Sequence, residues 1–150
     1  VMQTQVYNSF LEATSNVFGL MMDLTDVTDA LVERFECNGE LDIVIGVIGD
    51  LKGEVIYRFP HETSLGMVKI MSNMEFDAVD EFVISAISEI ANIISGNVLT
   101  ILSEKNLTCD ILPPVQGMGK ENADYSLQKI CCMTTSVGDV GLEIRLNPAS

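Results

Sequence analysis

The sequence predicts an α/β (α+β) protein in which two pseudo-repeated α-β-β-β units form one antiparallel sheet, packed by two long helices and one short helix. Three observations point there. Apolar spacing switches between helical and strand periods in the order helix, three strands, short helix, long helix, three strands. Consecutive strand candidates are linked by short turns, which implies antiparallel pairing. Finally, the run from Gly49-Asp50 through Arg58-Phe59 is paralleled by Gly138-Asp139 through Arg145-Leu146, with one residue fewer in the second turn.

The first helix is predicted from Gln3 to about Met22, where Val6, Phe10, Val17, Phe18 and Met21 recur at helical spacing. Asp26 to Cys37 reads as a strand through Val27, Ala30, Val32 and Phe35, ending at Asn38-Gly39. Both of those residues tolerate positive φ, so the pair predicts a hairpin into the apolar strand Leu41 to Ile48. Gly49 to Gly53 turns that strand and Glu54 to Phe59 returns it. Pro60 stops the ladder, and Glu62 to Met71 forms a short helix. Asp77 followed by Asp80 resembles an acidic capping box, opening a long helix to about Ser103. Thr108 to Leu112, closed by Pro113-Pro114, then Tyr125 to Thr135 and Gly141 to Leu146 are the last strands, with a loop over Gly117 to Asp124. No linker or composition shift divides the chain, so residues 1–150 read as a single domain.

Composition narrows the function classes. With 47% hydrophobic and 20% charged residues the chain is expected to fold around a real core rather than stay disordered. Trp is absent and aromatics are few, so Ile, Leu, Val and eight Met fill that core, with Met67, Met71 and Met74 read as core or interface filler. The net charge of −14 repels phosphate backbones, which argues against a nucleic-acid partner. It favours a basic protein surface, or serves solubility alone. Ser85, Ser88, Glu89 and Asn92 interrupt the longest apolar stretch, and Val1 to Asn8 lacks a signal-peptide pattern, so no membrane and a cytoplasmic location are expected. Cys37, Cys109, Cys131 and Cys132 form no CxxC pair and read as buried, reduced thiols, the last two on opposite faces of a strand. The only histidine, His61, stands beside Glu62 at a helix start, and Asp77, Asp80 and Glu81 suit a helix N-terminus; neither group predicts a metal.

The long helix holds the most specific pattern. At ~100° per residue, Ser85, Glu89, Asn92 and Gly96 fall within a stripe roughly 60° wide. Val83, Ile87, Ile90, Ala91, Ile94, Val98 and Ile101 cluster opposite, so the stripe is expected to face outward. Glycine inside a helix costs about 1 kcal/mol relative to alanine. Gly96 is then best explained by a partner approaching the backbone, the alternative being an ordinary solvated face with a tolerated glycine.

Ser85-x3-Glu89-x2-Asn92 resembles the signature of the CheC/CheX/FliY phosphatases, which is Asp or Ser, three residues, Glu, two residues, Asn, and a Pro a little over twenty residues later. Pro114 follows Asn92 by 22 positions, about one short of that spacing. Gly46 to Phe59 (GVIGDLKGEVIYRF) resembles the strand-turn-strand of the CheX branch. In the first helix Ser9 and Asn16 repeat the separation of Ser85 and Asn92, but Ala13 stands where Glu would be, a departure that points to the single-site CheX-like branch. Glu12 is one position early and projects ~100° away.

The resemblance implies a phosphatase acting on a phosphorylated CheY-type response regulator. Asn92 would position the attacking water and Glu89 would pair with the regulator's active-site Lys, with Ser85 and Gly96 as partner contacts. Hydrolysis through a loose transition state depends on placement of the water more than on a strong base, and one amide offers both donor and acceptor. No cofactor of its own and no metal site are expected, the Mg²⁺ belonging to the regulator. CheX-like relatives resemble homodimers joined through their sheets. The competing readings are a scaffold resembling the FliM middle domain, and a module that sequesters the regulator without hydrolysis.

Overall fold

A computed structural model describes residues 2–117, 119 and 124–149. Helix α1 (Met2–Met22) leads to β1 (Thr28–Val32), β2 (Glu40–Gly49) and β3 (Leu51–Pro60). Helices α2 (His61–Ser72) and α3 (Glu81–Glu104) follow, then β4 (Cys109–Ile111), β5 (Val115–Gln116), β6 (Leu127–Thr135) and β7 (Gly138–Pro148). Seven strands form one antiparallel sheet in the order β1-β6-β7-β3-β2-β4, with β5 also on β2. The fold class read from the sequence therefore stands. Most of the predicted Gly117 to Asp124 loop lies outside the described residues.

The two halves interlock rather than sit side by side. β3 and β7, the last strand of each half, pair at the centre, with Val55 opposite Ile144 and Tyr57 opposite Leu142. Each half then gives its outermost strands to the other: β1 pairs with β6, and β4 and β5 pair with β2. The hairpin expected at Asn38-Gly39 is therefore not formed. After Val32 the chain leaves the ladder and crosses the outer face of the sheet, which also ends the predicted Asp26–Cys37 strand early. Phe35 lies over Gly141, where an added Cβ would collide with its ring. Gly39 does take a positive φ of 79°, but its carbonyl accepts from the His61 amide at 3.1 Å, joining the loop to the start of α2.

The β2–β3 turn is tighter than expected, with strand pairing extending from Glu40↔Pro60 to Val47↔Gly53. Alternation then sorts the side chains. Ile43, Ile45, Val55, Tyr57, Leu142 and Ile144 point to one face and are fully buried. Phe10 of α1 and Val98, Leu99 and Leu102 of α3 pack around Val47, Val55 and Leu146 on that face. By length and composition α3 is long and apolar enough to cross a membrane, despite the polar interruptions. Its packing is that of a core helix, since Val83, Ile87, Ile90, Ala91 and Ile94 are all 0% exposed.

The opposite face carries a charge network absent from the sequence reading. Arg58 bonds Asp42 at 2.9 Å and Glu143 at 2.7 Å, with Glu40 at 3.8 Å. Arg145 bonds Glu143 at 2.6 Å and Glu54 at 3.3 Å. Burial pushes the Glu143 carboxyl up, but the two guanidinium groups outweigh it and hold it below the usual range. At the edge of the network Glu40 is raised to about 7 by burial and by its hydrogen bond and repulsion with Asp42, partly offset by Arg58.

Candidate active site on the third helix

Helix α3 begins where Asp80 caps it, the side chain accepting from the Val83 amide at 2.9 Å. The start thus falls later than the Asp77 expected from sequence, because Asp80 itself supplies the cap. From there the helical period runs unbroken to Glu104. Ser95, on the buried side, shares a hydrogen bond of 2.9 Å with Tyr57 at the centre of the sheet. This bond and the apolar ridge fix the rotation of α3 about its own axis.

With that rotation fixed, Ser85 and Glu89 are exposed and Asn92 and Gly96 half-buried on the face away from the sheet. Among the described residues no hydrogen bond or ion pair engages the side chains of Ser85, Glu89 or Asn92. A carboxylate, a carboxamide and a hydroxyl are thereby presented on one rigid helical face with their bonding capacity free. A Cβ built on Gly96 would meet nothing within 4 Å among the described residues, so their packing does not demand glycine there.

The partial copy on α1 is arranged differently. Ser9 is fully buried, donating to the Gln5 carbonyl at 2.7 Å and accepting from the Lys105 ammonium at 2.8 Å. Ala13 is also 0% exposed, whereas Asn16 is exposed. The Lys105 side chain at the C-terminal cap of α3 reaches the Gln5 carbonyl and Ser9, so Ser9 and Asn16 do not share an open stripe. A glutamate at position 13 would have to be buried there.

The other candidates resolve simply. All four cysteines are free, Cys131 is buried and Cys132 half-buried on the opposite face, but Cys37 is exposed, contrary to the reading of four buried thiols. Met67 is core, whereas Met74 is 57% exposed. Among the described residues no group of three or more His, Cys, Asp or Glu could hold a metal ion, His61 and Glu62 included.

Two residues on the α3 face escaped the sequence reading. Phe82 is 54% exposed and Ile93 36% exposed. The signal was present: seven residues before and four after Glu89 return Phe82 and Ile93 to within ~40° of it. Phe82 stacks on Phe76 from the connection before α3, with ring centroids 5.2 Å apart and planes 12° from parallel.

Comparison with known proteins places these features in a family context. The profile described as "Chemotaxis phosphatase CheX" matches residues 42–135, which include most of β2 and the whole of β3, α2 and α3. The CheY-P phosphatase CheX of Thermotoga maritima is 35% identical over 91 residues, covering 60% of this chain and 59% of that protein. A chemotactic CheC-like protein from Shewanella oneidensis MR-1 superimposes with a TM-score of 0.80 at 22% identity, over 95% of this chain and 98% of the other. The CheX–CheY–BeF3–Mg²⁺ complex from Borrelia burgdorferi matches with a TM-score of 0.77 at 23% identity, over 94% and 97%. At such identities the structural likeness is one of fold.

Proposed function

Because this chain belongs to the chemotaxis phosphatase CheX family, we propose that it removes the phosphoryl group from the aspartyl phosphate of a CheY-type response regulator. The observation that carries the proposal is the outward stripe of α3, where Ser85, Glu89 and Asn92 stand unengaged in the family's spacing. The relative from Thermotoga maritima, described as a CheY-P phosphatase, supports the reaction class. The Borrelia burgdorferi complex, solved with CheY, beryllium fluoride and Mg²⁺, supports the partner.

In this reading α3 lies over the regulator's active site. Asn92 holds a water in line with the phosphorus–carboxylate bond, its carboxamide oxygen accepting from the water. The water attacks phosphorus, the aspartyl oxygen leaves, and inorganic phosphate is released. Glu89 pairs with the regulator's active-site Lys and fixes the docking pose. Ser85 contacts the partner one turn earlier, and Gly96 lets its surface approach the helix backbone. The regulator carries the Mg²⁺ and the remaining phosphate contacts, so this chain needs no cofactor of its own. The same reading places the protein in the cytoplasm as a single domain. It also makes the protein a homodimer joined through the sheets, which the exposed strand β1, with Leu31 59% exposed, would allow.

The test is phosphate release from a panel of phosphorylated CheY-type receivers with substoichiometric protein. Turnover is expected for wild type and its loss, by about 10²-fold or more, for Asn92→Ala with an unchanged circular dichroism spectrum. Stoichiometric protection of the phosphorylated receiver without release would identify a sequestering or scaffold module instead.

A further inference from the structure

The exposed face of α3 is unlike a solvated helix surface. Outward faces of surface helices are normally charged and polar. Between Phe82 and Thr100, however, Glu89 is the only charged residue in the sequence, in a chain of net charge −14. The same face presents Phe82 and Ile93, at 54% and 36% exposure. Phe82, Ala86, Glu89 and Ile93 make one row along the helix, and Ser85, Glu89, Asn92 and Gly96 make the adjoining one. The two rows share Glu89.

We infer that Phe82 and Ile93 are the apolar anchors by which α3 seats the receiver domain, and that Phe82 on its Phe76 stack selects which receiver is accepted. The inference rests on the function proposed above and extends it to residues outside the family's Glu-x2-Asn signature. The occupant is assigned to the receiver because the anchors are continuous with the polar stripe, in line with Glu89 rather than on another side of the helix. They stand eleven residues apart, about 16 Å along the axis, and bracket Glu89 and Asn92. Contacts at both ends hold the helix against tilt, which a single ion pair at Glu89 cannot do.

Phe82 is also prepared for this role. Phe76 packs partly against the core, so the ring it holds is tied to the body of the protein. An aromatic side chain ordered before binding loses little rotamer freedom on docking, and buried aromatic anchors carry a large share of an interface's energy. Because Phe82 carries no charge, it favours receivers with an apolar surface beside the phosphorylation site over those with a charged one.

The experiment measures steady-state dephosphorylation, and titration with the beryllofluoride-activated form, for every receiver that wild type dephosphorylates. Phe82→Ala and Ile93→Ala should each raise KM and Kd about tenfold with kcat within twofold, while Phe82→Met keeps most of the affinity. Asn92→Ala should show the opposite split, losing kcat with Kd retained. Unchanged KM and Kd in folded Phe82→Ala and Ile93→Ala would overturn the inference while leaving the proposed function standing. A fall in kcat alone would also overturn it. So would dissociation of a homodimer on Phe82→Ala, since the face would then bind a second copy of this chain. If Phe82→Ala does not fold, Ile93→Ala decides. If wild type acts on no receiver in the panel, the functional reading fails and the anchors fail with it.

Discussion

The Tyr57 hydroxyl and the Ser95 hydroxyl meet at 2.9 Å inside the core, linking the centre of the sheet to the buried side of α3. Both groups are shut away from water, Tyr57 at 0% and Ser95 at 2% exposure. Burial pushes the Tyr57 phenol well above its ordinary range, so it stays protonated, although its bond to Ser95 pulls the other way. The bond is neutral, directional and independent of pH across the working range. It fixes which way the opposite stripe points.

Tyr57→Phe should therefore destabilise the fold by about 1 kcal/mol, read by denaturant unfolding. Ser95→Ala should do the same, and the double variant should cost less than the sum, because each single change already breaks the shared bond. Strict additivity would show that the two hydroxyls do not depend on each other.

Asn16→Ala should leave turnover within about twofold of wild type, since surface changes away from a site have small effects. Its helix buries Ser9 and Ala13, so Asn16 lacks the carboxylate three residues earlier that Glu89 supplies to Asn92, and Glu12, four residues earlier, is out of that register. A loss comparable to that of Asn92→Ala would establish a second working site on α1.

Glu89→Ala should weaken binding of the phosphorylated receiver by about 2–5 kcal/mol and lower turnover with it, because pose and water placement are coupled. Glu89→Gln should fall between, keeping hydrogen bonds but losing the charge. Raising ionic strength should weaken the wild-type complex more than the Glu89→Ala complex, one screened contact being already gone. Titrations at low and high salt giving equal affinities and equal slopes would make Glu89 an ordinary solvated residue.

The outer-face network predicts a pH effect on stability. Glu40 titrates at about 7 in the fold against 4.5 as its unperturbed value. Between those values the folded state holds a proton that the unfolded chain has released, so this group's contribution is complete below 4.5 and falls as pH rises through 7. Glutamine imitates the protonated acid beside Asp42, Arg58 and Cys37. Glu40→Gln should match wild type near pH 5 and exceed it near pH 8, by on the order of 1 kcal/mol given its partial exposure. Thermal melts showing no change in the difference across that range would remove the assignment.

The amino-acid sequence by itself determined whatever depends on neighbours three or four residues away. The inward ridge of α3 from Val83 to Ile101 and the outward stripe from Ser85 to Gly96 are both fixed by the helical period. The central hairpins, β2 with β3 and β6 with β7, were legible for the same reason, because strand alternation and a short turn act locally. Partner choice over longer distances was not legible. Alternation says which face a side chain joins but not which strand lies beside it, so nothing near Asn38-Gly39 reveals that β1 belongs with β6. Likewise Ser9 reads as the counterpart of Ser85 until Lys105, remote in sequence, closes over it. The Arg58–Glu143 pair joins residues of opposite halves through the central β3–β7 ladder. Only the tertiary structure decided these contacts, because they form between segments brought together when both halves bury their apolar faces on one sheet.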